Sequence, residues 1–174
     1  MKFSYYRERM NKTKGRYDVA PLFSDYTLFN HLIKDLIKIT KNLKFNKIAA
    51  LDSLGYVIGS ILAYKYKKGL VLIRKTGKIK AIEGTTIKGF FKDYTHTRKG
   101  FEITRSTIKK GDRILIIDEW METGSQIREA IKLIEELGGR IVGVRTIAMQ
   151  KEKRSLDLFN KYDLNSIGLK DNTK

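Results

Sequence analysis

At 174 residues and 41% hydrophobic content, the chain can bury one sizeable core, and no composition shift marks a second domain. Having no cysteine, it can form neither disulfides nor thiolate metal sites nor a cysteine nucleophile, and two histidines, His31 and His96, exclude a histidine-rich metal site. Its 36 Lys and Arg against 19 Asp and Glu give a formal charge of +17, which draws anions, whether nucleic acid or phosphorylated small molecules.

Along the chain, residues 2–16 carry six basic residues with Glu8 as the sole acid, so about 1–18 read as a basic N-terminal arm, solvated or touching a second copy. That start lacks the apolar stretch of a secretion signal, and no apolar run approaches a membrane span, so the expected location is cytoplasmic with no membrane partner. Leu28, Leu32, Leu36 and Ile39 put one apolar face on a helix over 25–42. Lys47–Leu51 reads as a strand entering a glycine turn, with Ile58, Ile61 and Leu62 beginning a helix after it. A strand from Gly69 to Lys75 follows, and then residues 80–104 mix Thr, Gly, aromatics and charge as a hairpin with a mobile, lid-like loop. Beyond a strand at 114–117, Ile127, Ile131, Ile134 and Leu137 recur at helical spacing until Gly138-Gly139. Arg140–Ala148 is the next strand, 151–162 a short charged helix and Tyr162–Leu169 an edge strand.

The segment Arg113-Ile-Leu-Ile-Ile-Asp118-Glu119-Trp-Met-Glu122-Thr-Gly-Ser-Gln126 carries the most chemistry. The apolar run changes to helical period between Asp118 and Gln126, and in an open α/β sheet ligands bind at the carboxyl end of such a strand. Thr123-Gly-Ser opens a helix whose first N–H groups have no partner within the helix and suit a phosphate. Two carboxylates beside a phosphate site suit hydroxyl groups, a divalent cation, or both. A sugar phosphate with free hydroxyls meets both demands.

This segment resembles the phosphoribosyl pyrophosphate (PRPP) signature of the type I phosphoribosyltransferases. Lys47 to Tyr56 is similar to the pyrophosphate loop of the adenine-specific branch, and Arg74-Lys75-Thr-Gly77-Lys78 resembles that branch's strand end. Phe101-Glu-Ile103, Ile108-Lys-Lys-Gly111-Asp-Arg113 and Leu22-Phe23-Ser-Asp25 extend the likeness over about residues 19–150. The resemblance implies a single α/β domain over 1–174, with a mainly parallel twisted sheet flanked by helices, a small N-terminal hood and a lid at about 80–104. It implies Mg2+ as cofactor, carried with PRPP, a nucleobase as second substrate, and a homodimer. It assigns Asp118 and Glu119 to the ribose hydroxyls and, indirectly, to the metal. Glu122, Thr123, Gly124, Ser125 and Gln126 go to the 5'-phosphate, and Asp52, Ser53, Leu54, Gly55, Arg74, Lys75 and Lys78 to pyrophosphate. Phe23, Ser24, Tyr26 and Trp120 become candidates for the base, with dimer or hood packing the alternative for Trp120.

Several positions depart from that branch. The pyrophosphate loop reads Asp52-Ser-Leu54-Gly-Tyr56 where the family has Glu-Ala-Arg-Gly-Phe, which removes a cation, and the lid's Glu-Tyr pair falls on Thr95-His96. His96 can substitute as a proton donor or be an ordinary loop residue. Glu122 stands where hypoxanthine-guanine enzymes carry an aspartate that faces the base; it is a candidate general acid or base alongside Asp118 and Glu119, or a turn residue favoured near a helix N-terminus. Three readings follow: a purine phosphoribosyltransferase, adenine favoured; a phosphoribosyltransferase for hypoxanthine, guanine, xanthine or another heterocycle; and a PRPP-sensing regulator that binds nucleic acid.

Overall fold

The computed structural model describes residues 1–13, 17–80, 82–92 and 97–173. A short helix α1 (Phe3–Arg7) and a two-stranded hairpin, β1 (Asn11–Lys12) with β2 (Tyr17–Asp18), open the chain, followed by α2 (Pro21–Ser24) and α3 (Tyr26–Thr40). Then come β3 (Lys47–Leu51), α4 (Leu54–Tyr66), β4 (Gly69–Lys75), β5 (Thr86–Lys92) and β6 (Arg98–Thr104). The last part is β7 (Arg113–Met121), α5 (Ser125–Glu136), β8 (Arg140–Lys151), α6 (Leu156–Lys161) and β9 (Leu164–Asp171).

The main sheet runs β5-β6-β4-β3-β7-β8-β9. The strands β4, β3, β7, β8 and β9 are mutually parallel, and the antiparallel hairpin β5-β6 extends the sheet beyond β4. From β3 the chain winds outward through α4 to β4, and from β7 it winds the other way through α5 to β8. The winding therefore reverses between β3 and β7, where an open sheet leaves a crevice.

Both faces are covered, and β7 shows how. Ile114 and Ile116 enter the cluster under α5, with Ile127, Ile131 and Ile134, while Leu115 and Ile117 enter the opposite cluster under α3 and α4, with Leu36, Ile58 and Leu62. A strand buried on both sides is continuously apolar, as 114–117 is. The strand nevertheless runs on through the acid pair to Met121, so Asp118 and Glu119 are held by the ladder and are not loop residues. The helix expected at 25–42 starts where Asp25 accepts the Leu28 N–H at 2.8 Å, an N-cap.

The basic N-terminal segment is anchored along much of its length. Tyr6 is fully buried and Met10 nearly so, both in the α3/α4 cluster. The Tyr6 hydroxyl and the terminal amine both donate to Asp35 on α3, at 2.7 and 2.5 Å. Phe3, Tyr6 and Met10 follow helical spacing, the apolar signal that the charge around them obscures.

The start of the parallel sheet is pinned at Asp112. Its carboxylate accepts from Lys47 Nζ at 2.7 Å, the Lys109 N–H at 2.7 Å and Asn46 Nδ2 at 3.0 Å, while Asn46 Oδ1 accepts from the Arg113 N–H at 2.8 Å. Burial pushes the Asp112 carboxyl up, but the Lys47 ammonium and the two amides outweigh it and hold it below the ordinary carboxylate value. A carboxyl lowered in the folded state gives stability that is complete above its unfolded pKa, about 3.9, and is lost as pH falls through the folded value. Asp112→Asn should therefore unfold about 1–3 kcal/mol more easily than wild type at pH 7. In urea titrations at pH 7, 4 and 3 the gap should narrow below about pH 4. A gap that stays constant to pH 3 would refute this role for the charge.

Candidate active site

Because β4, β3 and β7 are parallel neighbours, the loops after them leave the same edge of the sheet. These are 52–53, 76–79 and 122–124, and the residues that the resemblance assigns to pyrophosphate (Asp52 to Gly55, Arg74, Lys75, Lys78) and to 5'-phosphate (Glu122 to Gln126) lie in or beside them. The fold brings Asp52, Gly55, Arg74, Lys75, Lys78, Asp118 and Glu119 to one rim of the crevice.

At the centre Gly55, in the first turn of α4, lies against the end of β7. A Cβ on Gly55 would stand 3.0 Å from the Ile117 carbonyl oxygen and 3.2 Å from Asp118 Oδ1. The missing side chain is what lets the helix start reach the acid. Asp118 is 4% exposed and its Oδ1 accepts the Glu119 N–H at 2.9 Å, which fixes the carboxylate's rotation. Glu119 is half-buried beside it.

The turn after β7 leads directly into α5. Gly124 precedes α5 with φ +78°, and a Cβ there would meet Leu158 Cδ1 at 2.8 Å, so both conformation and space call for glycine. No side chain caps α5. The Thr123 hydroxyl lies 3.0 Å from the Ser125 hydroxyl and accepts the Ser125 N–H at 3.3 Å, which gathers both hydroxyls at the helix start. Asp118 through Ile127 line a small concave pocket, Glu122 and Gln126 included.

The loop after β3 is tied to the end of β4 by hydrogen bonds to the backbone. The Asp52 N–H donates to the Ile73 carbonyl at 3.0 Å, the Tyr56 hydroxyl donates to the same oxygen at 3.0 Å, and Asp52 Oδ2 accepts the Lys75 N–H at 3.3 Å. Burial, then the Asp52 charge, pushes the Tyr56 hydroxyl up, with Arg74 partly opposing them, so Tyr56 stays protonated and able to donate. The Lys75 ammonium lies 3.7 Å from Asp52 Oδ1 and is half-exposed. The Asp52–Ser53 peptide is cis. Leu54, at the family's arginine position, packs on the α3/α4 cluster, so its side chain serves the core.

The base-side candidates divide. Trp120 lines both the pocket at residues 118–127 and a cavity of about 550 Å3 that also touches Phe3, Tyr17, Met149, Arg7 and Lys170. Tyr17 stacks on Trp120 at 6.1 Å and 28°, with Phe3 tilted against it at 6.5 Å. Trp120 Nε1 is buried without an acceptor among the described residues. Phe23 instead packs edge-on against Phe29, the Ser24 hydroxyl donates to the Pro21 carbonyl, and Tyr26 is 82% exposed; none of the three lines the cavity. Tyr17 and Phe3 are the aromatics that sequence reasoning missed. His96, the alternative proton donor, lies outside the described residues.

Asp118 and Glu119 offer hard oxygen donors of the kind Mg2+ takes. Among the described residues no group of three or more His, Asp or Glu converges to cage a metal. A divalent cation at this acid pair would take most of its ligands from substrate oxygens and water.

A phosphoribosyl transferase domain matches residues 26–174. The chain is 33% identical over 150 residues to adenine phosphoribosyltransferase of Clostridium botulinum, covering 86% of this chain and 85% of that one. The chain belongs to the phosphoribosyltransferase family. Its place there makes it a glycosyl-transferring enzyme, and the adenine phosphoribosyltransferase of Nitrosopumilus maritimus is also similar, at 32% over 150 residues and 86% of each chain. The crystal structure of adenine phosphoribosyltransferase from Thermoanaerobacter pseudethanolicus superposes with a TM-score of 0.86 at 26% identity, over 97% of this chain and 99% of that one. The Giardia lamblia enzyme complexed with 9-deazaadenine shares the fold, with a TM-score of 0.83 at 22% identity over 98% of each chain. The α/β architecture expected from the sequence is thus the family's own.

The Gly55–Asp118 contact makes a specific demand. Gly55→Ala should reduce kcat/KM for the phosphoribosyl donor on the order of 10²-fold, by displacing the acid at the centre of the crevice. Gly69→Ala, where a Cβ meets only Lys47 side-chain atoms from 3.5 Å outward, should leave it unchanged. Steady-state kinetics on both variants checks this, and equal activity in the two would remove the contact from the mechanism.

Proposed function

We propose that the protein transfers the phosphoribosyl group of PRPP to a purine, adenine foremost, giving the nucleoside 5'-monophosphate and pyrophosphate. The observation that carries the reading is the adjacency, at Trp120, of the acid-and-phosphate pocket to an aromatic-lined cavity. The relatives' names favour adenine. The base nitrogen attacks the anomeric carbon as the carbon–oxygen bond to pyrophosphate breaks, and the electron pair leaves with pyrophosphate.

In this reading Asp118 and Glu119 hold the ribose hydroxyls, and the N–H groups and hydroxyls of Thr123 to Gln126 hold the 5'-phosphate. Arg74, Lys75 and Lys78, with the loop at 52–55, receive the pyrophosphate charge as it develops. Bound Mg2+ supplies further neutralisation of the phosphate oxygens. Trp120 and Tyr17 offer a stacking face to the base, and the base's proton passes to Glu122.

The test is incubation with PRPP, Mg2+ and, in turn, adenine, hypoxanthine, guanine, xanthine, uracil and orotate, with chromatographic separation of products. Adenine should be converted fastest, and Asp118→Asn should lose at least ~10²-fold in kcat/KM with its unfolding midpoint nearly unchanged. Conversion of a different base would replace adenine, and conversion of none would overturn the reading.

The same reading carries a cytoplasmic homodimer. Its support is that α4 is apolar on both sides: Ile58 and Leu62 are buried, yet Val57 and Tyr64 lie 37% and 89% exposed on the outer flank. Leu72 on β4 and Phe90 on β5, 42% and 50% exposed, are further outward-facing apolar side chains. Sedimentation should give twice the chain mass, and Tyr64→Glu should shift it toward monomer; a monomeric wild type at micromolar concentration would count against the dimer.

A further inference from the structure

Glu102 on β6 is fully buried, and the chemistry described so far gives it no task. Its Oε1 accepts two successive backbone amides, the Lys78 N–H at 2.8 Å and the Ile79 N–H at 2.6 Å, and its Oε2 is buried without a partner among the described residues. A carboxylate is expensive to desolvate, and leaving one oxygen unsatisfied adds to that penalty. An acid kept in such a place calls for a reason beyond packing.

The reason lies in what the two amides belong to. After Lys75 the chain leaves the sheet, turns at Gly77 with φ +83°, and carries Lys78 back over β6. The Thr76 N–H is held by the Gly100 carbonyl at 2.9 Å. Gly100 and Glu102 are two apart on a strand and so share a face. A Cβ on Gly100 would stand 2.7 Å from Thr76 Cγ2, so the bare glycine gives the turn its seat and the acid two residues on ties down its far side. Arg74 stands directly opposite Glu102 across the β4–β6 pair, and antiparallel partners project to the same face. The buried charge therefore stands below the cationic segment Arg74 to Lys78.

We propose that Glu102 is a positioning residue for the pyrophosphate end of the site, holding the Gly77-Lys78 backbone in the conformation that receives the anion. This rests on the reading of Arg74, Lys75 and Lys78 as pyrophosphate contacts. A negative side chain near an anion site would normally repel the ligand. Here the carboxylate is sealed from solvent and directed at backbone N–H groups, so it fixes the loop from beneath and leaves the outer surface to Lys78, which is exposed. Without Glu102 the loop would have to be ordered by the ligand itself, which weakens binding by the cost of that ordering.

Two ligands separate positioning from general damage. Ribose 5-phosphate occupies the turn at Thr123 to Gln126 but carries no pyrophosphate; inorganic pyrophosphate occupies the loops under test. Calorimetric titration with Mg2+ should show Glu102→Ala binding pyrophosphate about 10–100-fold more weakly, with ribose 5-phosphate affinity within about threefold of wild type. Glu102→Gln keeps a carbonyl acceptor for both amides and should recover most of the loss. In turnover, KM for PRPP should rise in Glu102→Ala while KM for the base holds.

Equal weakening of both ligands, or no weakening of pyrophosphate, would overturn the proposal. Glu102→Gln behaving like Glu102→Ala, with both variants folded by thermal melting, would overturn the two-amide clamp. A wild-type protein that fails to bind pyrophosphate or PRPP would instead refute the underlying reading, so the two failures are distinguishable.

Discussion

The approach of Gly55 to the end of β7 is the constraint on which the site depends. The chain winds away from β3 on one side and from β7 on the other, so these two strands are neighbours whose following segments diverge. The first turn of α4 and the acid of β7 can meet there only if no side chain stands between them. The meeting places the Asp52–Gly55 loop and the Asp118–Ser125 segment on one crevice. A phosphoribosyl donor has a phosphate at one end and pyrophosphate at the other, so a site for it must grip two anions at a fixed separation. Two loops on adjacent parallel strands would do this without any long-range side-chain network. The strand spacing, about 4.8 Å, is set by backbone hydrogen bonds and does not depend on local sequence.

The parts of this arrangement that were legible in the sequence are those whose cause is local. The β7–turn–α5 unit announces itself because hydrophobic period, acid pair and glycine all fall within fifteen consecutive residues. The β3–α4 and β4 segments were legible for the same reason. The parallel sheet followed from the resemblance. The aromatic cavity was not legible, since Phe3, Tyr17 and Trp120 come from three distant segments and no spacing relates them. Phe23 and Tyr26 were reasonable candidates by sequence proximity to the hood. Tyr26, however, sits in the first turn of α3 on a face that Leu32 and Leu36 turn outward by taking the inner one. Leu54 illustrates a further limit. Its mismatch to the family's arginine could be read, but that its side chain joins the core could be learned only from packing.

The N-terminal segment shows how charge can hide burial. Six basic residues suggested an arm that is solvated or touches a second copy, yet Phe3, Tyr6 and Met10 face inward while Arg7 and Arg9 remain exposed. Long cationic side chains tolerate this arrangement because the charged end reaches water while the backbone packs. One consequence is functional: Phe3 supports Trp120, so the segment that docks on α3 through Asp35 also walls the cavity beside the acid pair.

The net charge of +17 bears on how the acids near the crevice are handled. A phosphorylated substrate needs a positive field, yet Asp52, Glu102 and Asp118 lie within or beside the site. Each accepts a backbone N–H: Asp52 from Lys75, Glu102 from Lys78 and Ile79, and Asp118 from Glu119. An amide directed at a carboxylate offsets part of its field, and it does so within a few ångströms, where a substrate would otherwise feel it most. The three carboxylates also draw backbone into fixed conformations at the ends of β3, β4 and β7. The cations work the other way: Lys75 and Lys78 are exposed, so their charge faces solvent, where it would attract an anion before contact. Acids fix the frame from within while the bases stay outside, which is how an excess of positive charge and a set of carboxylates turned to backbone can coexist at one crevice.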